Sequence, residues 1–96
     1  MILEYIPIPD EFKLEKAYPN PYNPVTNIQY ALPKDIHVDL TIYNILGRQV
    51  AELVKTEQQA GYYKIEWNGN KNASGLYFIK MSAGDYLSIQ KIMMVK

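Results

Sequence analysis

Apolar and polar residues alternate along most of this chain. Between positions 36 and 45, Ile36, Val38, Leu40 and Ile42 fall on one side, and His37, Asp39, Thr41 and Tyr43 on the other. A period of two is that of a β-strand with one buried face. A slip of one residue would expose the whole apolar set, so the register is well specified. The same pattern puts Ile28, Tyr30 and Leu32 on one face of a strand over 25–32. It puts Tyr63, Ile65 and Trp67 inward over 62–67, and it sets Tyr77, Ile79 and Met81 opposite Leu76, Phe78 and Lys80 over 76–82. Alternation over 12–18 predicts a first strand, and 48–54 returns as another. The last strand, over 86–95, carries the run Ile92-Met93-Met94-Val95, which is apolar on both sides. A weak helical period over 49–59 is the only competitor.

Turn-forming residues punctuate these segments. Pro33-Lys34-Asp35 is a turn, and residues 44–47 form a hairpin turn in which Gly47 suits positive φ. Residues 56–61 read as a polar connection, and Asn68-Gly69-Asn70-Lys71-Asn72 is a loop of turn formers. Ala83-Gly84-Asp85 makes a tight hairpin. Seven strands at a spacing of about ten residues predict an all-β, antiparallel β-sandwich. Trp67, Tyr30, Tyr63 and Tyr77 are large enough to dominate its core. Residues 1–11, broken by Pro7 and Pro9, read as a linker or loose edge, leaving 12–96 as one domain.

Composition narrows the function. Ninety-six residues is one domain's worth of chain, and a hydrophobic content of 48% argues against disorder. Ten basic and ten acidic side chains cancel and intermix along the chain, which argues against nucleic acid and against an anionic membrane as partner. There is no cysteine, so thiol chemistry and disulfides are excluded. The apolar start is cut by Glu4 and two prolines and has no basic leader, so it does not read as a signal peptide. If the natural protein is exported, its export signal is expected outside this chain, which reads as a piece of a larger protein.

Catalytic chemistry finds little support. The one histidine, His37, lies on the polar side of a regular strand, and it lacks the nucleophile and partners a catalytic group needs. A histidine-based metal site would need more ligands. Asn68, Asn70 and Asn72 lack a carboxylate for calcium, and turn formation explains them. No catalytic residue, metal ligand or cofactor site is assigned. Asn72-Ala73-Ser74 is a formal glycosylation sequon, but the motif is short and a turn before Gly75 explains it better. Tyr43, Tyr62 and Phe78 are predicted on outer faces, where a flat row of rings would stack on sugars or pack on a neighbouring domain.

The most constrained stretch is Tyr18-Pro19-Asn20-Pro21-Tyr22-Asn23-Pro24. Each proline fixes its own φ and biases the residue before it away from helix. Asn20 and Asn23 can hold a turn through side-chain bonds to backbone. The segment reads as a stiff corner joining two strands and crossing between sheets.

Continued through Val25-Thr26-Asn27-Ile28-Gln29-Tyr30, this segment resembles the opening of the C-terminal sorting domain of the type IX secretion system of Bacteroidetes and related bacteria. The likeness continues in order. Residues 42–50, with Gly47, look like the family's central hairpin, and 60–67, ending in Trp67, look like its next strand. Ser74, Gly75 and Tyr77 fall in a stretch similar to its Ser-Gly-Val-Tyr-Phe motif. Lys91-Ile92-Met93-Met94-Val95-Lys96 looks like its terminal apolar strand. The resemblance implies a seven-stranded immunoglobulin-like β-sandwich at the end of a larger exported cargo. The outer-membrane translocon and its sorting proteins would recognise that domain, and in many members it is cleaved off during surface anchoring. A cleavage point is expected within residues 1–14, and residues 91–96 are the candidate docking strand, able as an edge to pair with a receptor strand or a second copy. The second reading is a carbohydrate-binding or passive structural module appended to a secreted enzyme.

Overall fold

The computed structural model describes residues 8–96. Seven strands follow in chain order: β1 (Lys13–Leu14), β2 (Val25–Leu32), β3 (Ile36–Asn44), β4 (Gln49–Gln58), β5 (Gly61–Asn68), β6 (Gly75–Ala83) and β7 (Tyr86–Met94). A three-stranded sheet has the order β1-β2-β5, and a four-stranded sheet the order β4-β3-β6-β7. All pairings between strands are antiparallel. The alternation becomes two facing layers. Ile28, Tyr30 and Leu32 of β2 meet Val38, Leu40 and Ile42 of β3 and Ile79 and Met81 of β6 in one buried core. Burying each such side chain contributes about 1.5–3 kcal/mol.

β4 departs from simple alternation. Leu40 pairs with Val54 and Thr41 with Glu52, which leaves Leu53 extra; Ile42 pairs with Ala51 and Tyr43 with Gln49, which leaves Val50 extra. Two β-bulges therefore let Val50, Ala51, Leu53 and Val54 all pack on the core. The helix-like spacing over 49–59 is the trace of these bulges. β4 also runs further than its sequence predicts: it pairs with β3 as far as Ile36 opposite Gln58, so residues 56–58 are strand rather than connection.

Two hairpin turns keep the register. Gly47 has φ +78°, while the Asn44 carboxamide oxygen accepts from Leu46 N and Arg48 N at 2.9 and 3.0 Å. Gly84 has φ +58° and is followed by a residue of negative φ, a type II′ turn that joins Ala83 to its partner Tyr86.

The first strand is shorter than predicted. Only Lys13 and Leu14 pair with β2, and the chain then touches β2 again through Tyr18 opposite Asn27. Residues 1–7 of the expected linker lie outside the described residues. Ile8, Asp10 and Glu11 are exposed while Pro9 is buried, and at Phe12 the chain is packed, its ring stacked on Tyr86 at 5.4 Å.

Candidate functional site

Residues 18–24 and 91–96 lie far apart in sequence and form one unit in the fold. β1 and β2 are neighbours in the same sheet, so residues 15–24 do not carry the chain from one sheet into the other. They lap instead over the outer edge of β7 in the opposite sheet. Ala17 N donates to Gln90 Oε1 at 2.6 Å, and Gln90 Nε2 donates to Glu15 O at 2.8 Å. The Asn20 side chain accepts from Met93 N at 3.0 Å and donates to Lys91 O at 3.4 Å. Tyr22 N donates to Met93 O at 2.9 Å, and Val95 N donates to Tyr22 O at 2.8 Å. Four of the backbone groups that an edge strand would offer at 91–95, Lys91 O, Met93 N, Met93 O and Val95 N, are thus taken by the chain's own strap.

The strap is held from its other side as well. Thr26 Oγ1 donates to Pro19 O, and Tyr18 exchanges two backbone bonds with Asn27. Gly69 N donates to Pro24 O, which ties the strap to the 68–72 loop. Tyr18, Pro19, Pro21 and Asn23 are exposed along the strap's outer surface.

Tyr22 is the exception in this segment. Its side chain is 1% exposed and enters the core beside Trp67, with ring centroids 5.8 Å apart, and Trp67 meets Tyr77 edge-on at 5.4 Å. The Tyr22 hydroxyl is buried with no hydrogen-bond partner among the described residues. Burial, with a smaller contribution from Tyr77, pushes its phenol well above the usual tyrosine range. Sequence reasoning missed Tyr22 as a core residue, because a ring between prolines shows no period. It also overstated Tyr63, which is half-buried, with its hydroxyl donating to Gln59 O at 2.6 Å.

The remaining motif residues are structural. Trp67 and Tyr77 are core, Gly47 turns the β3–β4 hairpin, and Gly75 opens β6. The Tyr77 hydroxyl donates to Ala73 O at 2.5 Å, which leaves the sequon stretch as a turn held by the core. Ser74 Oγ accepts from Lys96 N at 3.0 Å, and Lys96 Nζ donates to Asn70 O at 2.8 Å.

In β7, Ile92 and Met94 point inward and are buried, while Met93 and, just beyond the strand, Val95 are 42% and 47% exposed. Leu87 and Ile89 are exposed on the same outer side. Beside them a groove of about 370 Å³ is lined by Tyr43, Asn44, Ile45, Gly47, Phe78, Lys80 and Ile89.

The family model for the secretion system C-terminal sorting domain matches residues 16–96. The chain belongs to this family. It is a sorting module of type IX secretion, and such modules mark proteins for export to the cell surface or the extracellular space. Interaction with the type IX machinery follows from that membership. No curated protein matches the chain. Among the described residues, no helix of the sorting module is long and apolar enough to cross a membrane.

The predicted aromatic row does not form. Tyr62 lies on the outer face of the three-stranded sheet, opposite Ala31, whereas Tyr43 and Phe78 pair on the outer face of the other sheet. Tyr62 is exposed, but Tyr43 and Phe78 are half-buried, so the three cannot present one flat platform. His37 sits at the surface, 3.4 Å from Asp39.

Proposed function

We propose that the export machinery reads the sorting module through the outward face of β7, and that the strap formed by residues 15–24 holds that strand in place rather than docking itself. The observation that carries this reading is the row Leu87, Ile89, Met93 and Val95. These apolar side chains stay exposed on β7 and just beyond it, while Ile92 and Met94 on the strand's other face are core. Exposed apolar rows of this kind mark interaction surfaces. Because the strap occupies the backbone edge at 91–95, recognition there uses side chains rather than an added strand. An edge-paired homodimer at that position is disfavoured for the same reason.

The module is proposed to act by binding, without catalysis of its own, on a cargo attached upstream. Phe12 stacked on Tyr86, and Leu14 N donating to the Tyr86 hydroxyl at 3.0 Å, support a domain that starts at residue 12. Cleavage is then expected before Phe12, where Ile8, Asp10 and Glu11 are exposed. The test is a reporter carrying a Sec signal and this chain at its C-terminus, expressed in a type IX-competent bacterium. Ile89→Asp with Met93→Asp should leave the melting temperature of the module nearly unchanged and strand the reporter in the periplasm. Undiminished surface delivery of this variant would refute the proposed face.

A further inference from the structure

The register divides the outer face of the four-stranded sheet into two halves. On the β4–β3 side, its rows are Glu57 opposite His37, Lys55 opposite Asp39, Glu52 opposite Thr41, and Gln49 opposite Tyr43. On the β6–β7 side, they are Ser82 opposite Leu87, Lys80 opposite Ile89, Phe78 opposite Lys91, and Leu76 opposite Met93. The first half carries carboxylates of both strands. The second carries none, and its only charges are Lys80 and Lys91. The carboxylates of this sheet face are therefore confined to its first half, where Lys55 and His37 sit among them, and Lys80 borders that half, lining a groove with Asp39 and Glu52.

The central quartet of the second half is a checkerboard. Lys80 and Lys91 sit on one diagonal and Phe78 and Ile89 on the other. Diagonal neighbours across an antiparallel pair are roughly 7–8 Å apart. Lys80 Nζ lies 6.0 Å from the centre of the Tyr43 ring, and Lys91 is exposed.

From this arrangement we infer that the partner surface on the export machinery is apolar and bears carboxylates that face Lys80 and Lys91. The inference rests on the β7 face being the docked surface. Facing cations and carboxylates set register and reject wrong partners, while the aliphatic row supplies contact area. A lipid surface fits less well, because two lysines are fewer than the roughly four to eight of basic clusters that bind anionic lipid.

The same reporter fusion tests the inference. Lys80→Glu with Lys91→Glu should lower delivery about tenfold or more, since like charges would then face each other. Lys80→Arg with Lys91→Arg should keep it near wild type. Lys91→Glu alone, at an exposed position, covers the case in which a change at half-buried Lys80 disturbs folding, and melting curves of each purified variant verify the fold. If Ile89→Asp blocks export and the charge reversals do not, the acidic partner is overturned while the docking face stands. If none of the variants affects export, the docking face fails and the inference with it. Flotation of the wild-type chain on phosphatidylglycerol vesicles, lost on charge reversal, would assign the surface to lipid and overturn the inference.

Discussion

Asn20 and Tyr22 show how single side chains turn a proline-rich corner into a clasp. Asn20 reaches both Lys91 and Met93, so Asn20→Ala should cost about 0.5–1.5 kcal/mol. Thermal melting reads this as a drop of several degrees, and an unchanged melting temperature would remove Asn20 from the clasp. Tyr22 keeps a hydroxyl in the core without a partner among the described residues. Tyr22→Phe should therefore raise stability at neutral pH by about 1 kcal/mol, measured by urea unfolding. The phenol's folded pKa is raised above its unfolded value, so the folded state keeps the proton to higher pH. Stability from this group is fully present below about pH 10 and falls as pH rises beyond it. Tyr30 is raised in the same direction, chiefly by burial, partly offset by its bond to Gln58. Tyr22→Phe should then reduce the alkaline loss of stability without abolishing it.

At the scale of elements, the last strand serves two ends. Ile92 and Met94 belong to the core, whereas Leu87, Ile89 and Met93 face out. Deleting residues 91–96 should therefore loosen the fold as well as remove docking residues, with a melting temperature well below that of Ile89→Asp. A truncation that leaves the melting temperature unchanged would contradict the core positions of Ile92 and Met94. Strands β2, β3, β5, β6 and β7 were legible because each keeps a period of two against one core. β4 was partly hidden because its two bulges place Val50, Leu53 and Val54 at helix-like spacing. β1 was overextended because alternation over 12–18 says nothing about pairing partners. The strap on β7 was not legible at all. Its contacts join positions more than seventy residues apart, each with a backbone group on at least one side, and such pairings leave no pattern in the sequence.

For the whole molecule, the edges decide how it meets other proteins. β4 is bulged and carries Glu52, Lys55 and Glu57, the outer strand β5 carries exposed Lys64 and Glu66, and the C-terminal part of β7 is covered by the strap. Such edges resist pairing with a second copy, so sedimentation of the purified module should give a monomer at micromolar concentration. The most direct test of the central claim is delivery itself. A Sec-exported reporter ending in this chain should reach the surface or medium of a type IX-competent strain and remain in the periplasm of an isogenic strain lacking the translocon. Periplasmic retention in both strains, or delivery in both, would contradict the account.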